Sequence, residues 1–127
     1  MTEDALQRTG VEMARRPDAV SELRRGALEL ALLAFLDRGP SFSGAILDGL
    51  AEATNGGMAL TEGALYPALG RLEKNGMLEP EWRKEVEGRR ARKYYSLTDE
   101  GRERLVQLST AWAELADGMQ KLIGGED

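Results

Sequence analysis

A chain of 127 residues is sized for one domain with an appendage, and its 42% hydrophobic and 31% charged content describes a small core under a large solvated surface. With no cysteine and no histidine, disulfides, thiolate chemistry and the commonest general base and metal ligand are all excluded. The net charge of −5 argues, taken alone, against a polyanionic partner.

Residues 1–20 read as a short helix or ordered arm, with Ala5, Leu6, Met13 and Ala14 as thin apolar content. A loosely held tail fits equally well. Leu23 to Arg38 is the first clear helix. Leu28, Leu30, Ala31, Leu32, Leu33, Phe35 and Leu36 leave it little polar face, and Gly39-Pro40 breaks it. Arg24 and Arg25 stand at its start, the unfavourable end of the helix dipole, which is either accident or the mark of an anionic partner.

Ser41 or Ser43 is expected to cap a second helix, about Ser43 to Ala53, with Ile46, Leu47 and Leu50 inward and Asn55-Gly56-Gly57 after it. Thr61 is expected to cap a third. Leu65, Leu69 and Leu72 form its inward face, and Glu62, Tyr66, Gly70, Arg71 and Lys74 its outward one. Pro67 lies past the first turn, where it removes a backbone hydrogen bond.

Leu78 to Val86 and Lys93 to Leu97 alternate with period two and enclose Glu87-Gly88-Arg89-Arg90-Ala91-Arg92, which predicts a β-hairpin with a glycine-arginine tip. Leu78, Trp82 and Val86 share one parity, and Tyr95 and Leu97 oppose Tyr94 and Ser96. Pro80 requires an edge strand. Charge is concentrated here: residues 61–97 hold eight Lys or Arg against six Asp or Glu, and Gly88 to Lys93 holds four bases and no acid.

Thr98 then caps a long helix, with Asp99 and Glu100 at its positive end and Gly124-Gly125 closing it. Leu105, Leu108, Trp112, Leu115, Met119 and Leu122 recur at steps of 3, 4, 3, 4 and 3, a heptad seam on a helix roughly 38 Å long. A narrow seam of that length predicts a dimerisation arm. The alternative is a helix folded back on its own domain.

The expected fold is mainly α with a small β-hairpin: a winged helix-turn-helix over 21–97 and a dimerisation helix over 98–127. In that plan the third helix enters the major groove of double-stranded DNA, offering Thr61, Glu62, Ala64, Tyr66 and Arg71 to bases and phosphates. Arg89, Arg90, Arg92 and Lys93 form the wing, against phosphate or in the minor groove. The bland alternatives are a solvated helix face and a charged turn. Trp112 fills the dimer core, or its two copies flank a gap where a planar aromatic effector stacks.

No catalytic constellation is found. Ser41, Ser43, Ser96 and Ser109 have no histidine to activate them, and Asn55-Gly56-Gly57 lacks the lysine of a phosphate loop. No enzyme activity, cofactor or metal is expected. No run approaches 18 apolar residues and no signal peptide opens the chain, so a cytoplasmic protein without membrane contact is expected. The rival function is a winged-helix module that binds a protein partner through the heptad seam and acidic surface.

Three stretches together, LRRGALELALLAFL at 23–36, TEGALYPALGRLE at 61–73 and GRRARKYYSLTDEG at 88–101, resemble the PadR family of bacterial transcriptional regulators. The resemblance covers about residues 23–123 and implies a homodimeric winged-helix repressor in which Pro67 is a family feature. It implies DNA contacts at Thr61, Tyr66, Arg71, Arg89, Arg90 and Arg92. The single C-terminal helix is similar to that of the short subfamily, where it dimerises and where some members hold planar aromatic effectors against a tryptophan, here matched by Trp112. One departure stands out. The family often has Gly-Pro-x-His-Gly-Tyr after the first helix; here Gly39-Pro40-Ser41-Phe42-Ser43-Gly44-Ala45 has neither the His nor the Tyr.

Overall fold

The computed structural model describes residues 19–84 and 87–125; the expected N-terminal arm, up to residue 18, and Val86 lie outside them. Helix α1 spans Ala19–Leu36 and buries Leu28, Leu32, Leu33 and Leu36. It begins four residues before the expected Leu23, so Arg24 and Arg25 sit in its second turn. Arg24 has an intramolecular partner: its Nε donates to the Gly57 carbonyl at 2.9 Å, tying α1 to the loop after the second helix. That bond accounts for Arg24 without an external anion. Gly39, at φ +146°, turns the chain after α1 in a conformation that favours glycine.

The next two residues differ from expectation. Ser41–Phe42 form a short strand, β1, in which Ser41 pairs with Tyr95 and Phe42 with Tyr94. Ser41 is therefore buried in a sheet and caps nothing. Helix α2 follows at once over Ser43–Ala53, with Phe42 as its N-cap and no side-chain cap bond. The pairing demand of a third strand overrode the capping preference of the two serines. Ile46 and Leu50 face the core from α2, and Asn55 and Gly56 leave it through positive φ.

Helix α3 spans Glu62–Lys74. Thr61 caps it, its Oγ1 accepting from the Ala64 N–H at 3.2 Å, and Leu65, Ala68, Leu69 and Leu72 are buried. Gly76, at φ +79°, leads into β2, Leu78–Arg83, which pairs antiparallel with β3, Arg92–Leu97. The sheet order is β1-β3-β2, so the hairpin is completed by a third strand and Pro80 does lie on an edge strand.

One expectation about the hairpin fails because the sheet is longer than the core beneath it. Trp82 shares a face with Leu78 yet is 67% exposed, because that end of β2 projects past the helices. Tyr94 and Tyr95 point to opposite faces and are both buried. Tyr95 joins the core, while Tyr94 packs edge-on against Phe42 at 5.4 Å with the Arg83 guanidinium 4.6 Å above its ring.

Helix α4 runs from Asp99 to Gly124, with Gly125 in the left-handed C-cap conformation. Thr98 joins it to the hairpin. Its hydroxyl donates to the Gly76 carbonyl at 2.6 Å and accepts from the Gly101 N–H at 3.0 Å. Its first turns pack on α1, where Leu105 and Leu108 are half-buried against the core.

Candidate nucleic-acid interface

The N-cap and first turn of α3 present Thr61, Glu62 and Ala64 at the surface, with Tyr66 one turn further and half exposed. The Thr61 hydroxyl is already engaged as the cap. The Tyr66 hydroxyl lies 3.3 Å from Ser43 Oγ and so links α3 to the start of α2. Arg71 is exposed but lies on the flank of α3, beside Glu29 of α1 and Asn75. The outermost stripe of α3 is Gly63, Pro67, Gly70 and Lys74, opposite the buried leucines. A Cβ at Gly70 would meet nothing within 4 Å, so internal packing does not require that glycine.

Arg89 and Arg90 are exposed on the hairpin tip after Gly88, which turns at φ +86°. Arg92 begins β3, its guanidinium 4.3 Å over the Phe42 ring; that stacking holds the group while leaving its edge donors available. Lys93 is placed differently from the three arginines. Its ammonium bonds Glu73 of α3 at 3.0 Å and lies 5.3 Å over the Tyr95 ring. The hydrogen bond to Glu73 holds the Lys93 pKa above the ordinary lysine value, so this lysine braces the wing against α3.

Between α3 and the wing runs an open groove of about 480 Å³, lined by Phe42, Ser43, Tyr66, Trp82, Arg92 and Lys93 among others. Trp82 and Ser43 were missed as site residues in the sequence. Trp82 carried a signal, an aromatic a few residues from an arginine tip, but its parity pointed it at the core. Ser43 becomes a groove residue only through β1, which periodicity did not reveal.

Residues 32–107 match the transcriptional regulator PadR-like family, a span from the middle of α1 into α4. The chain belongs to this family. Its fold is similar to that of a PadR family transcriptional regulator from Eggerthella lenta, at 36% identity and a TM-score of 0.74, over 94% of this chain and 96% of that one. A transcriptional regulator from Clostridium thermocellum is similar at 29% identity and a TM-score of 0.72, covering 80% of this chain and 94% of that one. In sequence, the transcriptional regulator Rv3488 of Mycobacterium tuberculosis is 40% identical over 75 residues, 59% of this chain and 65% of that protein.

In this PadR-like regulator the heptad seam divides in two. Leu105 and Leu108 are partly covered by the protein's own core, whereas Trp112, Leu115, Met119 and Leu122 are exposed. Val106 and Ile123, outside the expected seam, are exposed as well. A cleft of about 280 Å³ lies between α1 and α4, with Ala27, Leu30, Leu108, Trp112 and Leu115 on its walls and Arg104 at hand. No helix among the described residues is long and apolar enough to cross a membrane, and no cluster of acidic residues among them could hold a metal.

Proposed function

We propose that this PadR-like regulator acts in the cytoplasm as a homodimeric, ligand-responsive repressor that binds a near-palindromic operator. Residues 21–97 would form the DNA-binding domain and 98–127 the dimerisation helix. The observation that carries the DNA reading is the pairing of an exposed α3 first turn with an arginine tip, Arg89 and Arg90, on one small domain. Thr61, Glu62, Ala64, Tyr66 and Arg71 serve the major groove and its edges, and Arg89, Arg90, Arg92 and Lys93 the adjoining backbone or minor groove. A dimer sets two α3 helices about 34 Å apart, one turn of duplex.

The exposed run of Trp112, Leu115, Met119 and Leu122 supports dimerisation, since an apolar stripe of this kind is normally covered. A planar aromatic effector stacking on Trp112 beside α1 would change the angle between protomers, provided it binds one arrangement better than the other. Quenching of Trp112 emission in the Trp82→Phe variant by such a compound tests that step.

The DNA reading is tested by electrophoretic shift on the region upstream of the gene, with non-specific duplex as competitor. A shift that survives competitor supports an operator-binding regulator. A dimer that shifts no duplex contradicts it and favours a protein partner on the seam.

A further inference from the structure

Trp82 is the largest exposed side chain of the hairpin and has no role in the core. The register sets it opposite Lys93, on the sheet face that carries Leu78 and Tyr95 and looks toward α3. The carboxylates of β2 point the other way: Glu79 and Glu81 alternate with Pro80 and Trp82, and Glu81 bonds Arg83 at 3.1 Å. The groove beneath Trp82 is therefore aromatic, hydroxylic and cationic, with no carboxylate on its walls among the described residues. Tyr66 and Trp82 both line it, with the Ser43 and Tyr66 hydroxyls 3.3 Å apart beside them, and Arg92, which pairs with Arg83 on the opposite sheet face, borders it with its guanidinium over the Phe42 ring.

A duplex separates its major and minor grooves by one sugar–phosphate strand. A protein that puts a helix in one groove and a wing in the next must seat that strand between the two elements. Here the space between them is this groove.

Resting on the DNA reading above, we propose that the groove between α3 and the wing seats one sugar–phosphate strand of duplex DNA, with Trp82 packed on a deoxyribose and Arg92, Ser43 and Tyr66 holding the adjacent phosphate. The division of labour follows from chemistry. The indole supplies apolar area to the sugar carbons. Arg92 supplies the charge, since the Lys93 ammonium is partly committed to Glu73. Neither contact reads a base, so both act on affinity for every sequence.

The test uses the full chain and two variants, with binding to labelled operator and non-specific duplexes followed by anisotropy across a salt series. Trp82→Ala is expected to weaken both duplexes about tenfold, the scale of burying one aromatic face, with the salt slope unchanged. Arg92→Ala is expected to weaken both and to make the slope shallower by about one for each wing engaged. Trp82 is exposed, so its loss leaves the fold intact, and Trp82→Phe is expected to keep most of the affinity. In parallel, 5-fluorotryptophan labelling gives fluorine signals for Trp82 and Trp112, assigned by Trp82→Phe. Duplex binding is expected to shift the Trp82 signal and shield it from a soluble paramagnetic chelate. A Trp82 signal still open to the chelate in a saturated complex, or a Trp82→Ala variant that binds every duplex as the parent does, overturns the proposal and leaves the DNA reading standing. Failure of the parent protein to bind any duplex overturns both.

Discussion

Gly101 lies so close to Met77 that a Cβ on the glycine would overlap the Met77 carbonyl oxygen and press on the Leu97 side chain. The Thr98 N–H donates to that same carbonyl at 3.1 Å. The base of the hairpin and the start of α4 are thus held at one angle by backbone contacts, without a hinge of loose chain. If α4 is the dimer arm, this junction fixes where each wing stands relative to the two-fold axis.

Gly101→Ala should therefore cost about 2 kcal/mol, the range of forcing a methyl group into a filled site. Denaturant unfolding at fixed protein concentration measures it, because a dimer's stability depends on concentration. A variant as stable as the parent contradicts the close approach.

The second prediction concerns the exposed half of the seam. Leu115 and Leu122 are 60% and 77% exposed, so glutamate at either position should leave the folded protomer intact. In a dimer it places two carboxylates in an apolar contact. Sedimentation should then give a monomer for Leu115→Glu with unchanged helical content. A dimer of unaltered affinity would mean that the subunits meet elsewhere.

A third prediction separates folding from function at Gly70. A glycine inside an exposed helix costs up to about 1 kcal/mol relative to alanine, and a Cβ here would meet nothing within 4 Å. Gly70→Ala should raise stability by roughly that amount and, if α3 lies in the major groove, weaken operator binding. Lower stability would show that the glycine serves the fold.

The Lys93–Glu73 pair carries a pH dependence of definite sign. The folded-state pKa of Lys93 is raised, chiefly by its hydrogen bond to Glu73. Its contribution is fully present below the ordinary lysine value of about 10.4 and is lost as pH rises through the raised value. With each side chain about a third exposed, the contribution is below about 1 kcal/mol. Glu73→Gln should be slightly less stable than the parent at pH 7, and the difference should close at strongly alkaline pH. A gap that widens with pH contradicts this assignment.

Much of this architecture was legible because it rests on short-range signals. The leucine spacing of α3, the Thr61 and Thr98 caps and the glycine punctuation each act within a turn or two of chain, and each appears in the structure as expected. What escaped depends on partners far along the chain. Ser41 pairs with Tyr95, more than fifty residues away, and nothing local announces it. Arg24 reaches Gly57, and Lys93 reaches Glu73, so residues that read as free cations have acceptors of their own. Trp82 shows the limit of periodicity: its parity matches the core, but the core ends before the strand does. Arg89 and Arg90 show the opposite case: they sit on the turn beyond both strands and stay exposed.

The most direct test of the account is the salt dependence of duplex binding, measured for the parent protein and for an Arg89→Ala, Arg90→Ala double variant. The account predicts affinity that falls steeply with salt in the parent. The variant should bind more weakly to every sequence, with a slope shallower by up to about two for each wing engaged. Equal affinities and equal slopes would contradict it, leaving the wing a solvated turn and the DNA reading without its main support.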